Sequence, residues 1–522
     1  MSKKNQTTAL LFEGSDWDFD TLKNTYDAIE DIALNELKLD VYANQVEVIT
    51  SEQMLDAYSS IGMPLMYHHW SFGKRFVRDD VMYRKGYQGL AYEIVINSNP
   101  CISYIMEENG MVMQALVMAH AAFGHNHFFK NNYLFKQWTD AEGILDYLQF
   151  AKRYIAQCED RFGFDAVERI IDAAHALMDQ GVNRYSHPEK PDWQQEAQRD
   201  RDRARYEDET YNDLWRTLPQ AGTDAEDADE TRRRLRAEER RAKLGLPEEN
   251  LLYFLEKNAP GLGNWEREIV RIVRNIGQYF YPQKQTKVMN EGCACYVHYH
   301  IMNALYDRGQ ITEGAMMEFI DYHSRVVFQA DFDDRRYSGF NPYALGFAMM
   351  QDIHRICVDP TDEDRHWFPD MAGNNRPYDT LKDAWAHYRD ESFILQYLSP
   401  KLMRDMKMFM IDDAASSPHL EVAAIHDDAG YRKVRRTLAR MHDISVREPD
   451  LQVVDVDLNG NRQLIIQHTQ HDGIRLEKSE AEMTLGYIGR LWGYGVTLQA
   501  VDHESGEILH EMHYQPDDSQ VA

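Results

Sequence analysis

The chain has 522 residues, 43% of them hydrophobic, which suits two or three folded domains and excludes a disordered polymer. A formal charge of −29 excludes a general binder of nucleic acid or anionic membrane, because either partner needs a basic surface. There is no run of about 18 apolar residues, residues 1–8 lack the apolar core of a secretion signal, and the five cysteines form no CxxC pair. The expectation is a cytoplasmic protein without a membrane span, its thiols reduced.

In chain order, Leu22, Tyr26, Ile29, Ala33 and Leu37 recur at helical spacing behind an acidic cap, which predicts a helix over 16–39. A second helix is expected over 52–61, broken at Gly62-Met63-Pro64. Residues 92–97 alternate as a strand that stops at Ser98-Asn99-Pro100, and helices follow over 101–108, 111–123 and 139–180. The character changes at 186–247, where Arg199-Asp200-Arg201-Asp202-Arg203 and the acidic residues 224–230 read as a solvated insert. Apolar periodicity resumes at 251 and continues through helices to 398. Beyond 400 the order is ββαββαββ, with Asn459-Gly460 as a hairpin turn. The expected class is α+β: a mostly helical, zincin-like body over 10–400 carrying the charged insert 186–247, and a small α+β domain over 402–522.

Two apolar helical segments carry groups that an ordinary core does not need. The first holds His120 and His125, the second Glu291, Cys295 and His298. Burying an ionisable group costs several kcal/mol unless it is paired or binds a metal, so the two segments are expected to face each other. Glu291, Cys295 and His298 fall at i, i+4 and i+7, one stripe of a helix. His120 and His125 are five apart, a rotation of about 140° on an α-helix, and Gly124 is expected to distort the helix so that the rings converge. A set of His120, His125 and Glu291 leaves an open position on a divalent transition metal, Zn²⁺ or Fe²⁺. Ala121 stands where an H-E-x-x-H enzyme has its general base, so that role is left to another carboxylate, such as Glu93 or Glu107. His298 and His69 are expected to position water or substrate. His127, His300 and His354 read as supporting or surface residues, and Cys293 and Cys295 as small buried hydrophobes. No phosphate-binding glycine loop and no G-x-S-x-G elbow occurs.

Several strings now combine: His69-Trp70-Ser71-Phe72-Gly73-Lys74, Tyr92 to Asn97, His120 through Asn132, Met289-Asn290-Glu291-Gly292 and Asn341-Pro342-Tyr343. Together they resemble the SpoVR family (stage V sporulation protein R-like), most nearly its enterobacterial members. The resemblance implies a sporulation-related, stress or stationary-phase pathway in which a PrkA-type serine kinase is a neighbour. It also weakens Cys293, Cys295 and His127 as candidates, because the family often has other residue types there. The string around Glu291 is similar to one that carries the carboxylate ligand in gluzincin-like hydrolases. Two functions follow as expectations. One is a metal-dependent hydrolase acting on an amide. The other is a non-catalytic regulator or scaffold with a kinase-pathway protein partner.

Overall fold

A computed structural model describes residues 9–60, 63, 66–85, 92–184, 244–412, 418–419, 421–457, 460–471 and 473–516. The polar residues 1–8, Asn459 of the expected hairpin turn and all but 244–247 of the charged insert lie outside the described residues. Two compact units form: Met1–Tyr154 with Phe280–Arg447, and Ile155–Tyr279 with Glu448–Ala522. The sequence reading divides the chain at 402 instead.

The first unit holds a three-stranded sheet in the order β1 (Asn44–Ile49), β3 (Cys101–Met106), β2 (Glu93–Ile96). The central strand pairs parallel with β1 and antiparallel with β2, setting Glu93 opposite Ile105. This corrects the helix expected over 101–108. A short run buried on both faces has no period to distinguish strand from helix, and hydrogen-bonded neighbours on either side decide it. The helix expected over 16–39 is α1 (Phe19–Asp31), capped by the Asp18 side chain, followed by a π-helical turn over Ile32–Glu36.

The core helices are α2 (Met111–Met118), α3 (Lys287–Asp307), α4 (Glu313–Val326), α5 (Pro342–Val358), α6 (Asp390–Tyr397) and α7 (Asp428–His442). Helix α2 is buried all round and α3 nearly so, which marks them as central. Contact between α3 and α5 is close enough that a Cβ on Gly292 would lie 2.5 Å from the Gly346 carbonyl carbon, so only glycine fits there. The carboxylate of Asp390, on α6, accepts the N–H groups of Val288 and Met289 at 2.9 Å each and so caps α3 from a neighbouring helix.

The expected ββαββαββ order is present, but its first third packs elsewhere. Strands β4 (Met410–Asp412) and β5 (Glu421–Ala424) form a separate two-stranded sheet. Helix α7 buries Tyr431, Val434, Leu438 and Ala439 in the same core as α3 and α5. In the second unit, β6 (Asp450–Val456), β7 (Leu464–Gln470), β8 (Val496–Asp502) and β9 (Ile508–Tyr514) form one sheet in sequence order. Strands β7 and β8 are parallel and are joined by α8 (Lys478–Trp492). The helices Phe164–Ala176 and Leu251–Asn258 also belong to that unit, with Phe254 against Trp492 at 5.9 Å between ring centroids.

Candidate metal centre

Helix α2 runs directly into a π-helix over Ala119–His125. Asn126 N–H donates to the carbonyl of Ala121, five residues back. Residues five apart diverge on an α-helix, but the wider π turn stacks them, which is why such turns recur at functional sites. The His120 and His125 rings accordingly meet at 4.6 Å between centroids, perpendicular to each other. Asn126 anchors the end of the turn: its amide accepts Tyr42 N–H and donates to the Tyr42 carbonyl and to Asn44 Oδ1, at the start of β1. Gly124 lets the turn lie on α3, since a Cβ there would come 2.5 Å from Ala294 Cα.

Opposite, α3 presents Glu291. Its Oε2 lies 3.8 Å from His120 Nε2 and 3.6 Å from His125 Nε2. These separations are too long for hydrogen bonds, and Oε2 is buried without a hydrogen-bond partner. Glu93, at the start of β2, puts Oε1 3.7 Å from the same His120 Nε2. Glu93, His120 and His125 each offer a ligand atom within 4.8 Å of the others. Each imidazole is held from behind through Nδ1: His125 by Asn290 Oδ1 at 2.9 Å, His120 by His298 Nδ1 at 2.9 Å. Glu291 Oε2 stands from each Nε2 at about the separation of two ligands on one cation with bonds of about 2.1 Å. The donor set fits a borderline divalent cation. Supporting hydrogen bonds that turn each Nε2 inward are what a histidine ligand needs.

The electrostatics match this division. Burial would lower His120, but the carboxylates of Glu291 and Glu93 outweigh it and hold the imidazole above its ordinary value. Burial would likewise raise Glu291, and the two imidazoles outweigh it, keeping the carboxyl below its usual range. Burial and the neighbouring His120 take His125 down to about 4, while burial and Glu291 raise Glu93. Burial lowers His298 far below its ordinary value. The imidazoles are buried, while the Glu93 and Glu291 side chains remain 21% and 16% exposed.

The structure thus brings together His120, His125, Glu291, Glu93 and His298. His69 is engaged elsewhere: its Nδ1 meets Ser71 Oγ at 2.6 Å and caps the helix Trp70–Arg84, and it is absent from the ligand groups around His120. His127 accepts Asp40 N–H and is structural. Cys295 Sγ lies within 4.8 Å of ligand atoms of His120 and His298, but burial raises its thiol well above the ordinary value. Sequence reasoning missed Asn290, Tyr343 and His323. Asn290 adjoins Glu291 in the string already noted. Tyr343, whose phenol helps to lower the Glu291 carboxyl, stands in the first turn of α5, where Asn341 caps the helix through Tyr343 N–H and Pro342 is the first residue. His323, alone on α4, carries no sequence signal.

Comparison with known proteins gives these residues a family. A family model described as SpoVR like protein matches residues 16–447, and one described as SpoVR-like C-terminal domain matches 449–503. The chain therefore belongs to the SpoVR family. A protein of Escherichia coli (strain K12), named Uncharacterized protein YcgB, is 52% identical over 504 residues, covering 97% of this chain and 96% of its own. No solved structure matches. Among the described residues no helix is long and apolar enough to cross a membrane.

Proposed function

We propose that this protein is a metal-dependent enzyme in which His120, His125 and Glu291 hold Zn²⁺ or Fe²⁺, and that it hydrolyses an amide. One observation carries the reading: Glu291 Oε2, buried and unpartnered, stands 3.6–3.8 Å from two inward-turned Nε2 atoms. An uncompensated buried carboxylate oxygen costs several kcal/mol, and a cation at that point removes the cost. When bound, the cation supplies a Lewis acid that polarises a carbonyl and acidifies water. Glu93 takes the part left vacant at Ala121: its carboxyl, raised by burial, remains partly exposed and accepts the proton of the attacking water. Tyr343 steadies Glu291, and His298 orients His120 from behind instead of meeting substrate. The amide is the substrate class suggested by the sporulation-related pathway that the family resemblance implies.

A second reading, a non-catalytic regulator working with a PrkA-type serine kinase pathway, is favoured by Ala121, which removes the glutamate of the usual zinc-protease helix. Metal content separates the two. Protein purified without chelator and reconstituted with Zn²⁺, Fe²⁺ or Mn²⁺ is expected to hold about one equivalent, the occupancy of a single three-ligand site. Glu291→Gln is expected to lose most of it while keeping the fold, because a neutral amide is a poor ligand. Wild-type protein that takes up no stoichiometric metal would establish the regulator reading instead.

A further inference from the structure

Behind His120 the imidazoles continue. His120 Nδ1 meets His298 Nδ1 at 2.9 Å, and His298 Nε2 meets His323 Nδ1 at 2.8 Å. All three rings are buried, at 3%, 0% and 6% exposure. Their surroundings are apolar: Phe319 lies edge-on to His298 at 5.9 Å and Phe347 edge-on to His323 at 4.7 Å. A neutral imidazole has one donor nitrogen and one acceptor. Three of them joined in this way have only two consistent proton orders. With the lone pair of His120 Nε2 directed at a cation, the proton sits on Nδ1 and donates to His298 Nδ1. His298 then carries its own proton on Nε2 and donates to His323 Nδ1. With the proton on His120 Nε2 instead, every bond in the chain reverses.

We propose that His298 and His323 are positioning residues, a relay of imidazoles that holds His120 in the one tautomer able to bind a metal and reverses when the metal leaves. The reversal takes up one proton at His120 Nε2 as the metal leaves and releases one from His323 Nε2, so that each neutral ring keeps its charge. The inference rests on the metal reading above and adds His323, on α4, which touches neither the cation nor its carboxylates. Removal of supporting hydrogen bonds of this kind typically weakens metal affinity about 10–100-fold.

The test uses the full-length chain and Zn²⁺ alone, its dissociation constant measured by competition with a chromogenic chelator. His323→Phe fills the space but accepts no proton, and is expected to weaken zinc binding by about tenfold or more. His323→Asn keeps an acceptor at the Nδ1 position and is expected to restore most of that loss, which a purely structural role would not do. Thermal melting of the zinc-free variants checks that the fold persists. Long-range ¹⁵N–¹H spectra of histidine-labelled wild type give a readout that needs no variant. Zinc is expected to move the His298 proton from Nδ1 to Nε2. Wild type that binds zinc, with His323→Phe binding equally well or the His298 tautomer unmoved, would overturn the relay alone. Wild type that binds none would remove the metal reading with it. Loss of zinc in Cys295→Ser would place the cation between the Nδ1 atoms and also overturn the relay.

Discussion

Asp390 shows how much can depend on one side chain. It is 2% exposed, and its two oxygens take the N–H groups of Val288 and Met289, the second and third residues of α3, just ahead of the Asn290–Glu291 pair. Burial raises its carboxyl to about 7 against the pull of those N–H groups. Asp390→Ala strands two buried donors and is expected to cost about 2–4 kcal/mol, read as a fall in the urea midpoint. Asp390→Asn keeps one acceptor and is expected to cost less; equal losses would mean that the capping bonds matter little. At this scale the sequence is unevenly legible. His120, His125 and Glu291 stand out because an apolar run makes an ionisable group conspicuous. His323 sits on an ordinary amphipathic helix and becomes meaningful only when α3 brings His298 to it.

The π-helix is the element on which the site turns. The H-x4-H spacing is visible in the sequence, and so is Gly124, but not the way five residues close into a single wide turn. That closure depends on Asn126 gripping Tyr42 and Asn44, some eighty residues earlier. Strand β3 escaped for a related reason, since its identity is set by partners and not by its own period. Gly124→Ala tests the element directly. The added methyl meets the backbone of α3 at Ala294, and over-packing of this sort costs about 1–3 kcal/mol. It is also expected to push His125 away from Asn290 and Glu291, so metal affinity should fall while His120 keeps its contact with His298. Unchanged metal binding and stability would show that the turn and α3 have room to move.

Across the whole molecule, buried histidines set an acid limit. Burial, the leading cause for each, lowers His125, His127 and His323 to about 4 and holds His298 well below its ordinary value. In the unfolded chain these groups return to an ordinary value of about 6.5. Between those values the unfolded state binds the protons, so stability is present above about pH 6.5 and is lost as pH falls toward 4. Each such histidine adds a slope of about 1.4 kcal/mol per pH unit within that window. Asp390, Glu93 and His120, whose folded values are raised, work in the opposite sense and offset part of that slope. Urea midpoints measured in chelator are therefore expected to drop steeply from pH 6.5 to 5; a flat profile would show these rings to be solvated.

The two compact units alternate along the chain, and this has a consequence for synthesis. Residues 155–279, which belong with the C-terminal sheet, are made between the two halves of the first unit. At about 5–20 residues per second, Glu93, His120 and His125 leave the ribosome on the order of ten seconds before Glu291. In that interval two inward-facing histidines have no α3 to meet. Any cation must therefore be loaded late, after residue 307, onto a chain whose first half has waited for its second.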